Sequence, residues 1–425
     1  MTLVRIRPGP AFGRLRAPAS KSYTHRALVV GHLSQRTFRV RNPLDSDDTR
    51  ATAAGLTRMG SRLTRRASVW TVDSHPDRPS RSIPPVRCGE SGTTLRFLVA
   101  VAALTGHRTS FEGDPGLSGR PIEELLGALR TLGAQFWHPR RGRRLVEIQG
   151  PIHGGRVSLD ASRSSQFTSA LLLSLPFLAE DSEIRLTGEV VSQPYVEATL
   201  AVLIHHGIRV ERTRKGFRVP GRQRVSGLEF PVPGDASSAA YAWAAAAVSG
   251  GEVRVMGISA EWPQADLAVL DLLEANGAVV TRLPDGAVVR AGTRRPFRID
   301  LTDAPDLYPL AGVLAATTPG QSRILGAEHV VLKESDRRSA TSRLASELGA
   351  RVRATREGLA IEGTDRPRAL SLRASHDHRV VMSAAVGALA GRDVSTIGDA
   401  GAVRKSFPGF WRTLHGLQEE EVGGS

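Results

Sequence analysis

Five glycines recur along the chain at nearly constant spacing, each closing a helix-like stretch and each followed three residues later by an apolar side chain. Gly60, Gly133, Gly207, Gly277 and Gly349 stand 73, 74, 70 and 72 residues apart, with Leu63, Phe136, Val210, Val280 and Val352 after them. A sixth candidate, Gly416, comes 67 residues after the fifth. Glycine adopts the left-handed backbone at a helix C-terminus without steric strain, and the apolar residue beyond it opens a strand. One such match means little. Five in register mark an internally repeated α/β unit, longer than a solenoid repeat and holding several strands and two helices.

Apolar spacing and polar starts predict helices over 22–33, 93–104 and 164–175, and strands over 36–40, 146–148, 183–186 and 252–255. The sixth helix is expected to end at Gly416, with only the acidic tail 418–425 after it, whereas residues 3–7 read as a strand with no helix before it. The N-terminal strand is therefore expected to complete the last repeat. A chain of 425 residues outgrows one hydrophobic core. Two domains of three repeats follow: residues 14–230 inserted into a second domain of 1–13 plus 231–425. The two chain crossings, near 14–19 and 230–234, would act as a hinge around a substrate cleft.

No apolar run is long enough to span a bilayer, and the first residues lack a signal-peptide core. The lone cysteine, Cys88, excludes an internal disulfide and a cysteine-based metal cluster. A cytoplasmic chain without membrane partners is expected. The net charge of +15 fits small anionic substrates or nucleic acid. The arginines are spread along the chain and aromatic residues make up only 5%, so the stripe and stacking platform of a nucleic-acid binder are missing. Of 57 basic residues only Lys21, Lys215, Lys333 and Lys405 are lysines. Where arginine is so favoured, a retained lysine points to a need for a compact ammonium. Lys215 lies in a polar turn and needs no such explanation.

Several segments place anion-binding donors at helix starts. Residues 19–26 (ASKSYTHR) combine hydroxyls with Lys21 and Arg26, and 88–96 (CGESGTTLR) form a glycine-rich turn ahead of a helix, without a P-loop ending. Residues 162–167 and 233–238 repeat the device with hydroxyls, an amide and an aspartate. Residues 332–337 (LKESDR) pack a lysine, two carboxylates and an arginine together; each of these segments alone reads equally well as a cap or a solvated face. His376-Asp377-His378-Arg379 lacks a third ligand at helical spacing, so it reads as an arginine positioned by its neighbours, and no metal is expected. Few of the segments offer a nucleophile. Together they are suited to hold several anionic groups at once.

Taken in order, the segments resemble the 5-enolpyruvylshikimate-3-phosphate synthase family along the whole chain. The matching pieces are Ser20-Lys21-Ser22 with Arg26, Glu90-Ser91-Gly92-Thr93 with Arg96, Arg120-Pro121-Ile122, Ser164-Ser165-Gln166-Phe167 and Ser192-Gln193-Pro194-Tyr195. They continue with 234–238 (GDASS), Pro305-Asp306, 333–337 (KESDR), Asp377-His378-Arg379 and Lys405-Ser406-Phe407-Pro408. The resemblance implies a two-domain inside-out α/β barrel, each domain built of three βαβαββ-type repeats. It implies transfer of the enolpyruvyl group of phosphoenolpyruvate to the 5-hydroxyl of shikimate 3-phosphate by addition and elimination, without a cofactor and on the way to chorismate and aromatic amino acids. Shikimate 3-phosphate would be held by Lys21, Ser22, Arg26, Ser164, Ser165, Gln166, Ser192, Tyr195, Asp306 and Lys333. Phosphoenolpyruvate would meet Lys21, Gly92, Arg120, Gln166, Arg337, Arg379 and Lys405. Asp306 would act as base on the 5-hydroxyl and Glu334 as acid on the methylene carbon, with Lys21 between the substrates. The partners implied are small anions, and a monomer is expected.

The chain departs from the family pattern at Glu90-Ser91, where Asn-Ala is frequent, at Phe97, where proline is frequent, and at His329, where asparagine is usual. The sister family acting on UDP-N-acetylglucosamine carries a loop cysteine and an asparagine beside its N-terminal lysine. Here Cys88 precedes the glycine turn and Ser22 follows Lys21.

Overall fold

The computed structural model describes residues 2–74, 83–139, 143–326, 328–373 and 375–419. Residues 420–425 of the acidic tail lie outside them. The chain divides into two compact units, Met1–Pro18 with Gly234–Ser425, and Ala19–Pro233.

The repeat is visible strand by strand. Among the described residues there are five four-stranded sheets and one three-stranded sheet. Each four-stranded sheet has one design, a parallel pair extended by two antiparallel strands, and in three of the five a helix directly joins the parallel strands. Gly155–Asp160 runs parallel to Ser182–Thr187, which pairs antiparallel with Gly216–Val219 and through it with Glu211–Thr213. A parallel pair needs a crossover connection, and here the buried helix Ser165–Ser174 lies between the two strands. The five repeated glycines have φ of 107°, 111°, 71°, 100° and 99°, the left-handed region that a residue with a Cβ enters only with strain.

Two interrupted repeats explain where the units divide. Phe12–Arg16 pairs parallel with Glu252–Met256, so the chain stays in its first unit through residue 18 before the helix Lys21–Leu33 begins. Glu229–Pro231 pairs parallel with Thr37–Arg41, which keeps residues up to 233 in the second unit. These pairings move the divisions a few residues beyond 14 and 230, because the crossing segments are themselves strands.

Val4–Ile6 pairs antiparallel with Ser395–Ile397, so the N-terminal strand does complete the last repeat's sheet. The sixth helix departs from expectation: Phe410–Glu419 runs through Gly416 instead of ending there. Buried Phe410, Leu414 and Leu417 continue one apolar face past the glycine. The three expected helices are Lys21–Leu33, Gly92–Ala102 and Ser165–Ser174, nearly all buried along their length.

Candidate active site

In the unit of residues 19–233 the site residues stand at helix starts and are tied to one another. Lys21 opens its helix, with Nζ 3.1 Å from Asp48 Oδ2. One turn on, buried Arg26 donates from Nη1 to the Ser22 carbonyl at 2.8 Å, from Nε to Thr199 Oγ1 at 2.8 Å and from Nη2 to the Tyr195 carbonyl at 2.7 Å. These acceptors are all neutral. Burial, only partly opposed by Tyr23 and Tyr195, pulls the guanidinium down to about 10, leaving a desolvated cation suited to an incoming anion. Tyr195 lies in the first turn of Gln193–His205, whose N-cap, Ser192, is held at φ 54°. A serine kept in that left-handed conformation stores local strain of the kind found at binding sites.

A second group forms around the glycine turn. Arg96 Nη1 donates to Gln166 Oε1 at 2.6 Å, and Gln166 Nε2 donates to Thr93 Oγ1 at 3.0 Å. Arg96 also anchors on the Pro121 carbonyl, and Arg120 Nη1 reaches the Glu90 carbonyl at 3.3 Å. Gly92 sits between the two guanidiniums: a Cβ there would lie 2.7 Å from Arg96 Nη1 and 2.9 Å from Arg120 Cζ. A side chain there would push the guanidiniums off Gly92. Ser164 caps the helix Ser165–Ser174, and both serines are buried at its N-terminus. Cys88 is buried behind the turn, where burial pushes its thiol up, so it offers no thiolate.

The other unit builds its site from charges. Asp306 lies in a short 3-10 turn, Arg337 opens the helix Arg337–Glu347, and Asp377 caps the helix His378–Leu389. Arg337 donates to three carboxylates: Nη1 to Asp306 at 2.6 Å, Nη2 to Glu334 at 2.8 Å and Nε to Asp377 at 2.9 Å. Arg379 Nη2 takes the other oxygen of Asp306 at 2.8 Å. Asp377 accepts in addition from Arg379 N and Ser335 Oγ, both at 2.9 Å. Exposure separates the members into two kinds. The Asp377 and Arg337 side chains are 0% and 1% exposed, while Asp306 and Glu334 are 21% and 15% exposed. The sealed pair is a foundation, and the two open carboxylates are the two that the sequence resemblance named as base and acid.

Burial by itself would raise the Asp306 carboxyl. Arg379, Arg337 and then Lys333 overturn that and hold it well below the usual carboxylate range. Asp266, buried and hydrogen-bonded by Ser237, is pushed up to about 6 by burial and then by the charge of Asp306. Lys405 Nζ donates to the His376 carbonyl at 2.5 Å. His329 is buried, and burial followed by the Lys333 charge lowers it to about 3. Among the described residues no group of three or more His, Cys, Asp or Glu is placed to hold a metal ion.

The structure thus joins Lys21, Ser22, Arg26, Ser192 and Tyr195, and separately Gly92, Arg120 and Gln166; in the other unit it joins Asp306, Glu334, Arg337 and Arg379. Sequence reasoning missed Asp377 as the foundation, Asp48 as the Lys21 partner and Arg96 as the link to Gln166. An aspartate directly ahead of a helix was the available signal for Asp377, since that is where N-caps stand. A separate depression of about 570 Å³, lined by Arg185, Arg214, Lys215 and Phe217 among others, includes none of the predicted site residues.

The sequence profile of EPSP synthase (3-phosphoshikimate 1-carboxyvinyltransferase) matches residues 7–414. The chain belongs to this family. Curated relatives named 3-phosphoshikimate 1-carboxyvinyltransferase include that of Halobacterium salinarum, 38% identical over 98% of this chain and 99% of the relative. The Thermococcus kodakarensis relative is 39% identical over 96% and 98%. A solved EPSP synthase from Acinetobacter baumannii superposes with TM-score 0.82 at 25% identity, covering 98% of both chains. The enolpyruvyl transferase NikO from Streptomyces tendae, at 19% identity and TM-score 0.77, shares the fold over 98% of this chain and 97% of its own. That fold is the two-domain inside-out α/β barrel of the EPSP synthase family.

Proposed function

We infer that the chain transfers the enolpyruvyl group of phosphoenolpyruvate to the 5-hydroxyl of shikimate 3-phosphate, releasing phosphate, within the shikimate pathway. The observation that carries the reading of the chemistry is one buried arginine, Arg337, joining the two accessible carboxylates Asp306 and Glu334. The reaction needs two proton-transfer groups that exchange states and return to the start, and these carboxylates supply them.

In the addition step Asp306 takes the proton of the 5-hydroxyl as its oxygen bonds to C2 of phosphoenolpyruvate, and Glu334, which must enter the step as the neutral acid, gives its proton to the methylene carbon. The product is a tetrahedral intermediate bearing a methyl group. In the elimination step Glu334 takes a proton back from that methyl, the C–O bond to phosphate breaks, and Asp306 returns its proton to the departing phosphate. Atoms and charges balance, and both carboxylates end as they began.

Asp306 clasped by two arginines is a poor base. Arg120, Arg337, Arg379 and Lys405 are read as the cations that receive the carboxylate and phosphate of phosphoenolpyruvate, with Gly92 leaving room for it. Arg337 and Arg379 are covered by their carboxylates in this structure, so the substrate's negative charges are read as drawing them off Asp306, which then loses part of what depresses it and gains proton affinity. The base is thereby armed by the substrate it must act beside. Shikimate 3-phosphate is read onto Ser22, Arg26, Ser164, Ser165, Ser192, Tyr195 and Lys333, with Lys21 and Gln166 touching both ligands.

Both substrates carry too much charge to cross a bilayer unaided, so the reading keeps the chain in the cytoplasm beside them. It also takes the chain as a monomer: Leu3, Ile204, Val279, Val331 and Val394 are the exposed large apolar side chains among the described residues, one per separate element or loop. The test is release of inorganic phosphate. Release that requires both substrates together supports the reading, and no release with both present at saturation refutes it.

A further inference from the structure

In the unit of residues 19–233 a run of buried polar groups remains that the chemistry above does not use. His25 Nδ1 lies 2.8 Å from Thr52 Oγ1, and Thr52 Oγ1 lies 2.7 Å from Thr94 Oγ1. The Thr94 hydroxyl reaches Ser91 Oγ at 2.8 Å and the Asp48 carbonyl at 3.3 Å, while Ser91 Oγ accepts from Thr94 N at 3.1 Å. His25, Thr52 and Thr94 are 0% exposed and Ser91 is 1% exposed. The run ties together the first two turns of Lys21–Leu33, Asp47–Arg58 and Gly92–Ala102. At those turns stand Lys21, its partner Asp48, and Gly92.

The protons in the run can be counted. Each threonine has one to give. If Thr94 gives its proton toward Ser91 and the Asp48 carbonyl, it must accept from Thr52, and Thr52 must then accept from His25 Nδ1–H. In the reverse sense Ser91 and Asp48 lose that proton. His25 Nε2 would then carry a hydrogen with no acceptor among the described residues, where Nε2 has no partner. A buried orphan N–H is rarer than a buried orphan acceptor. A protonated ring is opposed by burial and then by the charges of Lys21 and Arg26, which hold the imidazole well below its ordinary range.

We propose that His25 is a positioning residue: as the neutral Nδ1–H tautomer it donates into the Thr52–Thr94–Ser91 run and so fixes Lys21 and the turn at Gly92 for phosphoenolpyruvate. The proposal rests on the functional reading above for what Lys21 and Gly92 bind. Its structural half, the tautomer and the direction of the run, stands apart from that reading.

Three variants and one spectrum test it. His25→Leu removes the donor, Thr52→Val removes the relay at constant shape, and His25→Asn restores an N–H on the atom bonded to Cγ, where Nδ1 was. Loss of one buried hydrogen bond corresponds to a change of roughly fivefold or more. His25→Leu and Thr52→Val should raise KM for phosphoenolpyruvate by about that factor, with kcat much less affected; His25→Asn should stay within about twofold of the parent. ¹⁵N NMR of the parent protein should show a protonated Nδ1 and a bare Nε2, unchanged from pH 8 to 5.5. A protonated Nε2, a ring that titrates in that range, or KM values for all three variants equal to the parent's would overturn the proposal. If the parent itself turns nothing over, the failure is the functional reading's, and the spectrum still rules on His25.

Discussion

The two units hold their site residues by different means. In the unit of residues 19–233 the cations rest mainly on neutral oxygens: Arg26 on two carbonyls and a hydroxyl, Arg96 on a carbonyl and an amide. In the other unit Arg337 and Arg379 rest on Asp306, Glu334 and Asp377. A neutral cradle leaves positive charge uncompensated, which suits gripping a phosphorylated polyol. A cradle of carboxylates nearly cancels the charge, and an entering anion must displace some of it. Such a site is built to change its proton affinities when substrate arrives, and here the proton transfers are assigned to it.

Deleting the central arginine from each cradle should separate them most. Arg337→Met leaves three carboxylates at one buried point, and stranding a buried charge lowers stability by about 3–5 kcal/mol. Arg26→Met strands only neutral acceptors, for a loss of about 1–3 kcal/mol. Urea denaturation of the two variants checks this, and equal losses would erase the contrast. On activity, Asp306→Asn and Glu334→Gln should each lower kcat by about 10²- to 10⁴-fold, the usual weight of a general acid or base. Tyr195→Phe and Ser165→Ala should instead raise KM for shikimate 3-phosphate and leave kcat nearly alone. Steady-state phosphate release reads both, and a kcat collapse in Ser165→Ala would break the division of labour.

The same contrast decides how much was legible in the sequence. Glycine spacing carried the repeat because each glycine occupies a position with φ that other residues avoid, a local property. Hydroxyls and amides at helix starts were legible for the same reason, since a cap stands next to what it caps. The carboxylate lattice was not. Asp306, Glu334 and Asp377 meet on Arg337 across up to 40 positions of chain, and nothing local in Asp377-His378-Arg379 says that its aspartate is sealed under Arg337 while Asp306 stays open. Gly416 misled because a C-cap glycine and a mid-helix glycine look alike in sequence, and it is the burial of Leu414 and Leu417 on one face that carries the helix past it.

Acidification should act unequally. Burial holds His25, His32 and His206 in one unit below the ordinary value, His32 at about 4. The unfolded chain then binds more protons below about pH 6.5, so their contribution to stability is present above that pH and is lost as pH falls toward the folded values. In the other unit His329, at about 3, acts in the same sense, but Asp266 at about 6 acts oppositely. The folded state there binds the extra proton, which adds stability as pH falls below about 6. Between pH 7 and 5, amide hydrogen exchange corrected for intrinsic rates should therefore rise more in residues 19–233 than in 234–419. The reverse order would contradict the assignment of buried groups.

Smaller again are the effects of exchanging ammonium for guanidinium. Lys21→Arg, Lys333→Arg and Lys405→Arg should each lower kcat/KM by about tenfold or more, most at Lys21, because a planar fork does not replace a compact charge between anions. Lys215→Arg, in an exposed hairpin turn, should change nothing measurable. Equal activity in all four would mean that lysine is retained by chance.

The central claim is that proton transfer belongs to the Asp306–Arg337–Glu334 lattice and the main grip on shikimate 3-phosphate to the unit of residues 19–233. Deuterium entry into the methylene group tests it most directly, because addition makes a methyl group and elimination returns a methylene. In D₂O the parent protein should place deuterium on the methylene carbon of its product. Tyr195→Phe, assayed at saturating shikimate 3-phosphate, should keep the parent's deuterium per turnover, while Glu334→Gln should slow wash-in together with phosphate release. A product free of deuterium, or parent-level wash-in rates in Glu334→Gln, would contradict the account.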